Sequence, residues 1–257
     1  KPLKEIFTQV VHLLAAEGLL SLKEIYTDGT KIEANANRYT FVWGNAIKTN
    51  KEKMKQQLDE LWKYAQSIAK AENDDTDPTD FTAVTKENME AAIAQIDDNP
   101  DADKKIRQKL NYAKAKWPAA LERYEDHEKI MGKHRSSYSK TDTDATFMRM
   151  KEDHMMNGQL KPAYNLQLSS NGQYIANYSI HQATTDTTTL ISHLDDFSEH
   201  HQQLPDVVTT DAGYGSEENY QYLEQKNITA FVKYNQFDRE QNNTIQKNRP
   251  FASDKLH

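Results

Sequence analysis

The segment from Tyr164 to Val232 constrains the fold most, because its pattern alternates between short strands and helices. Residues 164–168 and 174–180 flank a Ser-Asn-Gly turn and predict a hairpin. The other predicted elements of the segment are a helix over 187–201, a strand over 207–210, a helix capped by Ser216 and a strand over 228–232. This order predicts parallel pairing with right-handed crossovers, and hence an α/β fold.

The first 43 residues add one helix and further strands to this pattern. Residues 3–17 have apolar side chains at helical spacing, and Gly18 follows them as a helix terminator. Residues 25–34 are typical of extended chain, which we expect to be interrupted at Asp28-Gly29, because Asp-Gly is a common sequence of tight turns. Residues 38–43 predict a continuation as strand.

Residues 44–132 have a different character and predict a large helical insertion after the first strands. Apolar residues recur at helical spacing in two long runs, on either side of a polar linker over 73–80 and a short predicted helix over 89–96. Pro118 lies inside the second run and should kink or restart that helix. We expect the two long helices to form an antiparallel hairpin.

Composition limits the classes of protein that fit. The 257 residues can bury a sizeable core, so we expect one domain over 1–257 that carries the insertion. No segment approaches the roughly 20 apolar residues of a membrane helix, and residues 1–20 lack a signal-peptide cleavage pattern, which predicts a soluble, intracellular protein. Because the chain begins inside a helical pattern at Lys1, we expect a longer parent protein.

Charge and cysteine content restrict the ligands. The net charge of −7 argues against a uniformly basic surface, so any contact with DNA must be local. Since the sequence contains no cysteine, any bound metal must use oxygen or imidazole ligands. No phosphate-binding glycine-rich loop and no dinucleotide-binding pattern is present, so neither ATP nor NAD is indicated.

Two aspartates lie where chemistry is expected in an α/β fold. Asp211 ends a predicted core strand and precedes a glycine-rich loop, and ligands of open α/β sheets bind at such strand ends. Asp28 has a similar setting after residues 25–27. Each aspartate has a structural alternative as a turn residue, and for Asp28 alone the turn is favoured. As a pair, the two carboxylates could hold Mg²⁺ and support phosphodiester displacement.

Three motifs, read together, give a more specific signal: Tyr26–Ala36 (YTDGTKIEANA), Thr141–Met148 (TDTDATFM) and Thr210–Tyr214 (TDAGY). In this order they resemble the DDE-type transposases of bacterial insertion sequences, over nearly the whole chain. The resemblance implies an RNase H-like mixed sheet flanked by helices, and Asp28 and Asp211 as the first two catalytic, metal-binding carboxylates.

The resemblance also implies a reaction and its partners. Such enzymes cut double-stranded DNA at transposon ends and join the freed 3′-hydroxyl to target DNA, with two Mg²⁺ or Mn²⁺ ions. The implied setting is the bacterial cytoplasm at the nucleoid, with a homo-oligomer assembled on the DNA.

The third acid of the family is a glutamate in a Tyr-x2-Arg-x3-Glu-x6-Lys motif, which this sequence lacks. Glu240 has different surroundings, and Glu217 and Glu218 are better explained by the dipole at a helix N-terminus. We therefore expect that the chain ends before the glutamate and is inactive in DNA cleavage.

An acidic cluster and basic residues around it complete the candidate site. Asp142 and Asp144 precede an apolar run, which favours a helix cap, while the resemblance leaves Asp144 as a further candidate for the active site. Basic residues on both sides of this cluster are candidates for DNA phosphate contacts, with solvated surface charge as the alternative: Lys133, Arg135, Lys140, Arg149 and Lys151.

Two other functions fit the same residues. An RNase H-like nuclease would cut DNA without strand transfer. A non-catalytic DNA-binding or assembly module would keep the fold without a complete triad, and the missing glutamate favours it.

Overall fold

The computed structural model describes residues 2–71, 104–150 and 158–233. Its strands are β1 (Glu24–Glu33), β2 (Phe41–Trp43), β3 (Ser137–Ser139), β4 (Thr146–Arg149), β5 (Leu160–Asn171), β6 (Tyr174–His181), β7 (Val207–Thr210) and β8 (Thr229–Val232). Its helices are α1 (Pro2–Ala16), α2 (Gly44–Ala71), α3 (Lys104–Met131), α4 (Leu190–His201) and α5 (Glu217–Gln225). The predicted linker over 73–80 and the short helix over 89–96 lie outside the described residues.

The chain divides into two compact units. The sheet unit consists of Lys1–Ala36 and Asp144–His257, and the helical unit consists of Asn37–Thr143. The helical unit thus lies between β1 and the rest of the sheet in sequence, as predicted for a helical insertion. None of the helices in the described part of the chain is long and apolar enough to cross a membrane.

A six-stranded mixed sheet forms the centre of the sheet unit. Its order is β6–β5–β1–β7–β8, and β4 also pairs with β5. Ala163 of β5 pairs with Glu33 of β1 and with Thr146 of β4, so β4 lies on the same side of β5 as β6. β1 is antiparallel to β5 and parallel to β7, which is in turn parallel to β8. The predicted mixed α/β sheet with flanking helices is confirmed.

Helix α4 supplies the crossover from the hairpin to β7 and buries its apolar face. Leu190, Leu194 and Phe197 recur at helical spacing, and none of their surface is exposed. They pack with Ile25 of β1 and Val208 of β7 in one core cluster. Burying side chains of this size contributes about 1.5–3 kcal/mol each, so this cluster holds the helix against the parallel strands.

The predicted turn at Asp28-Gly29 is wrong, since both residues lie inside the continuous strand β1. Asp28 pairs with Leu168 and Gly29 with Gln167 of β5. A type I′ turn requires positive φ, and Gly29 does not adopt it. The strand continues because β5 hydrogen bonds along eight consecutive residue pairs, which outweighs the local preference of Asp-Gly for a turn.

The helical unit contains the two long helices and the short β2–β3 pair. Leu58 and Leu61 of α2 pack with Leu110, Trp117 and Leu121 of α3, and all five are buried. The apolar spacing in the sequence therefore predicted the contacting faces of the two helices. Helix α3 is a single helix that contains Pro118, so the expected restart at that residue is wrong.

The predicted helix cap at Asp142 and Asp144 is also wrong. The apolar run that follows them is strand β4, in which Thr146, Phe147 and Met148 are consecutively buried. This four-residue segment hydrogen bonds to β5 and is too short to form a helix with a stable apolar face. The two aspartates therefore precede a strand.

Candidate active site

Asp28 and Asp211 occupy equivalent positions on two adjacent parallel strands. Thr27 of β1 pairs with Thr210 of β7, and each threonine directly precedes one of the aspartates. Neighbouring strands lie about 4.8 Å apart, so residues in one row of a parallel pair are close neighbours. The sheet thus brings together the two carboxylates that the sequence singled out.

Asp28 projects from the face of the sheet opposite α4, and Asp211 is exposed directly after the end of β7. Side chains alternate along β1, and Thr27 and Gly29 are buried while Asp28 between them is exposed. Asp28 Oδ1 accepts a hydrogen bond from the Gly29 amide at 2.8 Å. Asp211 caps the short 3-10 turn Ala212–Tyr214, and its Oδ1 accepts from the Gly213 amide at 2.9 Å. Each carboxylate is oriented by the backbone that follows it.

A third carboxylate, Asp186, lies directly against β1 on the buried face. It precedes α4 in a short 3-10 turn, Asp186–Thr188. A Cβ atom built on Gly29 would lie 2.8 Å from Asp186 Cγ and 2.6 Å from Gln167 Nε2, so a larger residue would force these side chains to shift. Gly29 therefore leaves the space that the Asp186 carboxylate and the Gln167 amide occupy.

The buried face beneath the two aspartates is polar. One row across four strands consists of Thr210, Thr27, Ser169 and Asn177, all of them buried. Buried polar groups cost free energy unless they are hydrogen bonded, and the Thr27 and Ser169 hydroxyls meet at 2.8 Å. The site end of the sheet is thus built on a hydrogen-bonded layer in place of an apolar core.

Tyr214 links this polar layer to the Asp211 loop. Its ring is fully buried, and its hydroxyl donates to Gln167 Oε1. Burial raises the pKa of Tyr214 well above its ordinary value, and the negative charges of Asp186, Asp28 and Asp211 raise it further. The phenol therefore stays protonated, and three carboxylates lie close enough to act on it.

Comparison with known proteins identifies the family. Residues 135–256 match the family model described as Transposase DDE domain. Residues 135–256 therefore carry a DDE transposase domain. The matched range includes Asp211 and Asp186, whereas Asp28 precedes it. No curated protein matches the chain.

The predicted resemblance to DDE transposases is thereby confirmed over residues 135–256, which include the second and third motifs. DDE transposases bind DNA and generally use divalent metal ions. Within residues 2–71, 104–150 and 158–233, no group of three or more acidic or histidine side chains is arranged to hold a metal. The assignment of Asp28 and Asp211 as metal ligands stays a prediction, to which the row geometry adds support.

The remaining acidic candidates have different surroundings. Asp144 is exposed and accepts a hydrogen bond from Gln182 Nε2 at 3.3 Å, and its role in the active site stays a prediction. Glu217 and Glu218 lie in the first turn of α5, where the helix dipole favours negative charge, as predicted. Glu240 lies outside the described residues.

The basic candidates also differ in their surroundings. Lys133, Lys140 and Arg149 are exposed, and Lys151 lies outside the described residues. Arg135 is engaged by the protein's own backbone: its guanidinium donates to the carbonyls of Met131 at 3.1 Å, Thr143 at 2.7 Å and Ile130. The bonds to Ile130 and Met131 satisfy carbonyls at the C-terminus of α3, and the bond to Thr143 joins a later loop to this helix end, which is a structural role.

Sequence reasoning missed Asp186, Gln167 and Tyr214 as parts of the site. Asp186 lies in a threonine-rich segment with no motif around it. The available signal was the alternation Asn165, Gln167, Ser169, which places a polar residue at every second position of a predicted strand. Asn165, Gln167 and Ser169 are all buried, on the face of the sheet that Asp186 contacts.

Proposed function

We propose that Asp28 and Asp211 bind divalent metal ions and that the domain cleaves and joins DNA strands at transposon ends. The observation that carries this proposal is the register of β1 and β7, in which the two aspartates follow directly after the paired residues Thr27 and Thr210. Asp211 lies within the residues that match a DDE transposase domain, and its pairing with Asp28 through the sheet extends that chemical context to Asp28.

The two side chains fit Mg²⁺ or Mn²⁺. Both ions prefer oxygen ligands and retain several waters, which suits two exposed carboxylates better than a closed cage. When bound, two such ions supply activation of a water or a 3′-hydroxyl and stabilisation of the leaving oxygen. The role of the chain itself is to orient Asp28 through the Gly29 amide and Asp211 through the Gly213 amide.

The third carboxylate of the proposed triad is the family's glutamate. The Tyr-x2-Arg-x3-Glu-x6-Lys motif that carries it does not occur in these 257 residues. We therefore expect the chain to bind metal through two carboxylates without cleaving DNA. Adding a segment that carries the glutamate motif should restore cleavage, and Asp28→Asn or Asp211→Asn should then abolish it.

Metal binding is the direct test. We expect calorimetric titration with Mn²⁺ to show binding that Asp28→Asn and Asp211→Asn each remove. Asp206→Asn is the matched control, because Asp206 is an exposed aspartate at the opposite end of β7. Binding that survives in both active-site variants, or that is lost in the control as well, would contradict the assignment.

The product of the restored reaction distinguishes transposition from simple cleavage. With a plasmid carrying transposon ends, a transposase yields joined strands, whereas an RNase H-like nuclease yields only nicked or linear DNA. Intact plasmid, together with DNA binding that persists without Mg²⁺, would instead favour the non-catalytic assembly module. The absence of the glutamate motif from these 257 residues is the observation that favours the non-catalytic assembly module.

DNA phosphates are expected to contact the exposed cations of the domain, Lys133, Lys140 and Arg149. Removing a cation that binds a phosphate should reduce the slope of log K against log salt by about 1 and weaken binding of all sequences alike. A Lys133→Ala, Lys140→Ala double variant tests this by fluorescence anisotropy with duplex DNA. Lys129→Ala is the control, because Lys129 is also exposed but its Nζ lies 3.6 Å from Asp126 Oδ1.

We also propose that the domain acts as a homo-oligomer on DNA.

A further inference from the structure

A partly buried hydrogen-bond network converges on Asp186. Asn165 Nδ2 and Gln167 Nε2 donate to Asp186 Oδ1 at 2.8 and 3.0 Å, and Gln167 Nε2 also donates to Asn165 Oδ1 at 2.9 Å. The Tyr214 hydroxyl donates to Gln167 Oε1 and so fixes the orientation of that amide. Asn165 and Gln167 donate to the carboxylate and Tyr214 donates to Gln167, so this arrangement is consistent only while the tyrosine is protonated.

The network touches the backbone of β1 at the residue after Asp28. Gln167 pairs with Gly29 in the ladder between β1 and β5, and its amide lies over the Gly29 Cα together with the Asp186 carboxylate. Gly29 in turn donates its amide hydrogen to Asp28 Oδ1. A displacement of Asp186 or Gln167 therefore changes the backbone that orients the Asp28 carboxylate.

The same network reaches the loop that carries Asp211. Tyr214 ends the 3-10 turn that Asp211 caps, and its carbonyl accepts from Asn219 Nδ2 at 2.7 Å. Thr187, the residue after Asp186, donates from its hydroxyl to the Gly213 carbonyl at 2.7 Å. The segment that carries Asp186 and the loop that carries Asp211 are thus joined by direct hydrogen bonds.

We propose that Asp186, Gln167 and Tyr214 are positioning residues that hold Asp28 and Asp211 in register for metal binding. This inference rests on the proposed function of the two aspartates. The hydrogen bonds that Asn165 and Gln167 donate to this partly buried carboxylate replace bonds to water, so their net contribution to stability is modest and does not by itself explain the network. Hydrogen-bonding partners of metal ligands, by contrast, tune affinity strongly.

The test compares Mn²⁺ affinity in the 257-residue chain across a small set of variants. Tyr214→Phe removes one hydroxyl, and Asp186→Ala removes the carboxylate. Asp186→Asn is the rescue variant, since its amide oxygen still accepts from Asn165 and Gln167. Tyr222→Phe is the matched control for the phenol, because Tyr222 donates to Asp195 Oδ1 at 2.6 Å on the exposed surface. Circular dichroism selects variants that fold.

We expect Tyr214→Phe and Asp186→Ala to weaken Mn²⁺ binding by about tenfold or more, while Asp186→Asn stays near wild type and Tyr222→Phe is unchanged. Unchanged affinity in folded Tyr214→Phe and Asp186→Ala would overturn the inference. Weakening in Asp186→Asn equal to that in Asp186→Ala would also overturn it, since Asp186 would then act through its charge or as a ligand. If Tyr214→Phe or Asp186→Ala fails to fold, Asp186→Asn and Gly29→Ala provide the test of the positioning role. We then expect Asp186→Asn to bind Mn²⁺ about as well as wild type and Gly29→Ala to bind it more weakly.

Failure of the proposed function has a different signature. In that case the wild-type chain shows no Mn²⁺ binding that depends on Asp28 and Asp211. If wild-type binding depends on both aspartates and the network variants match wild type, only the positioning role is wrong.

Discussion

Acidification provides a quantitative test of the polar layer through His193. This histidine of α4 has no exposed surface, and its ring nitrogens meet the hydroxyls of Ser169 at 2.7 Å and Ser179 at 2.5 Å. Burial lowers the pKa of His193 to about 3, with a further lowering by His181 and Lys4 and an opposing effect of Asp196. The side chain is therefore neutral in the folded protein over the whole physiological range.

The direction and size of the change in stability with pH follow from this pKa. The folded-state pKa of about 3 lies below the ordinary value of 6.5, so on acidification the unfolded state binds the proton first. The stability contributed by neutral His193 is complete above about pH 6.5 and is lost as the pH falls toward about 3. Going from about pH 8 to about pH 5 should cost about 2 kcal/mol.

The assay must report on the sheet unit alone. The three tryptophans, Trp43, Trp62 and Trp117, all lie in the helical unit, so their fluorescence does not follow the sheet. Hydrogen exchange of the amides in β1 and β5, corrected for the intrinsic rate at each pH, gives the free energy of opening of this unit. His193→Gln removes the titrating group and keeps an amide that can donate and accept.

The decisive quantity is the difference between wild type and His193→Gln, because other titrating groups cancel in it. We expect the wild type to lose about 2 kcal/mol more than the variant between about pH 8 and about pH 5. Parallel pH dependence of the two proteins would refute the reasoning, since it would mean that His193 is protonated in the folded state at little cost.

Three substitutions test the structural assignments elsewhere. Leu121→Ala should destabilise the helical unit by about 2–5 kcal/mol, measured by urea unfolding with tryptophan fluorescence, since Leu121 is fully buried between the two long helices. Arg135→Ala should cost the same unit about 2 kcal/mol in that assay, because the guanidinium bonds to three carbonyls are charge-assisted. Ser216→Ala should cost about 1 kcal/mol in the hydrogen-exchange stability of α5, because Ser216 Oγ accepts from the Asn219 amide at 3.2 Å.

The elements that the sequence predicted well are those with long periodic signals. The apolar spacing of the two long helices in the insertion predicted a hairpin whose buried residues include Leu58, Leu61 and Leu110. The alternation of strands and helices after residue 164 predicted the parallel pairing of β7 with β8, whereas the preceding strand β6 pairs with β5 and β1 lies beside β7. Both signals are local, and tertiary packing reinforces them.

The Asp28-Gly29 step shows where local chemistry misleads. In isolation this dipeptide favours a turn, but β5 and β7 hydrogen bond to β1 from either side and impose an extended conformation. The glycine is needed for a different reason, which is the space taken by the Asp186 carboxylate and the Gln167 amide. Gln167 of β5 and Asp186 before α4 thus limit the size of the side chain at position 29 of β1. These three residues are too far apart in the sequence for any local pattern to include them all.

The burial of β5 is a second feature that local sequence does not predict, because the buried face of this strand is the polar one. Hydrophobic alternation along Tyr164, Leu166 and Leu168 points to those residues as the core face. In the structure Asn165 and Gln167 are fully buried instead, and the three apolar residues are half-buried on the other face. The polar face is buried because α4 and the Asp186 segment provide partners for it, which the sequence of β5 alone does not reveal.

The two ends of the sheet make different contributions to the protein. At one end Ile25 and Val208 pack with α4 in an apolar cluster, which supplies stability without depending on hydrogen-bond geometry. At the other end the Thr27–Ser169 row and the Asp186 network bury polar groups, whose net contribution to stability is small but whose geometry is specific. Strand register at the site therefore depends on directional contacts, while the apolar end tolerates small adjustments in packing.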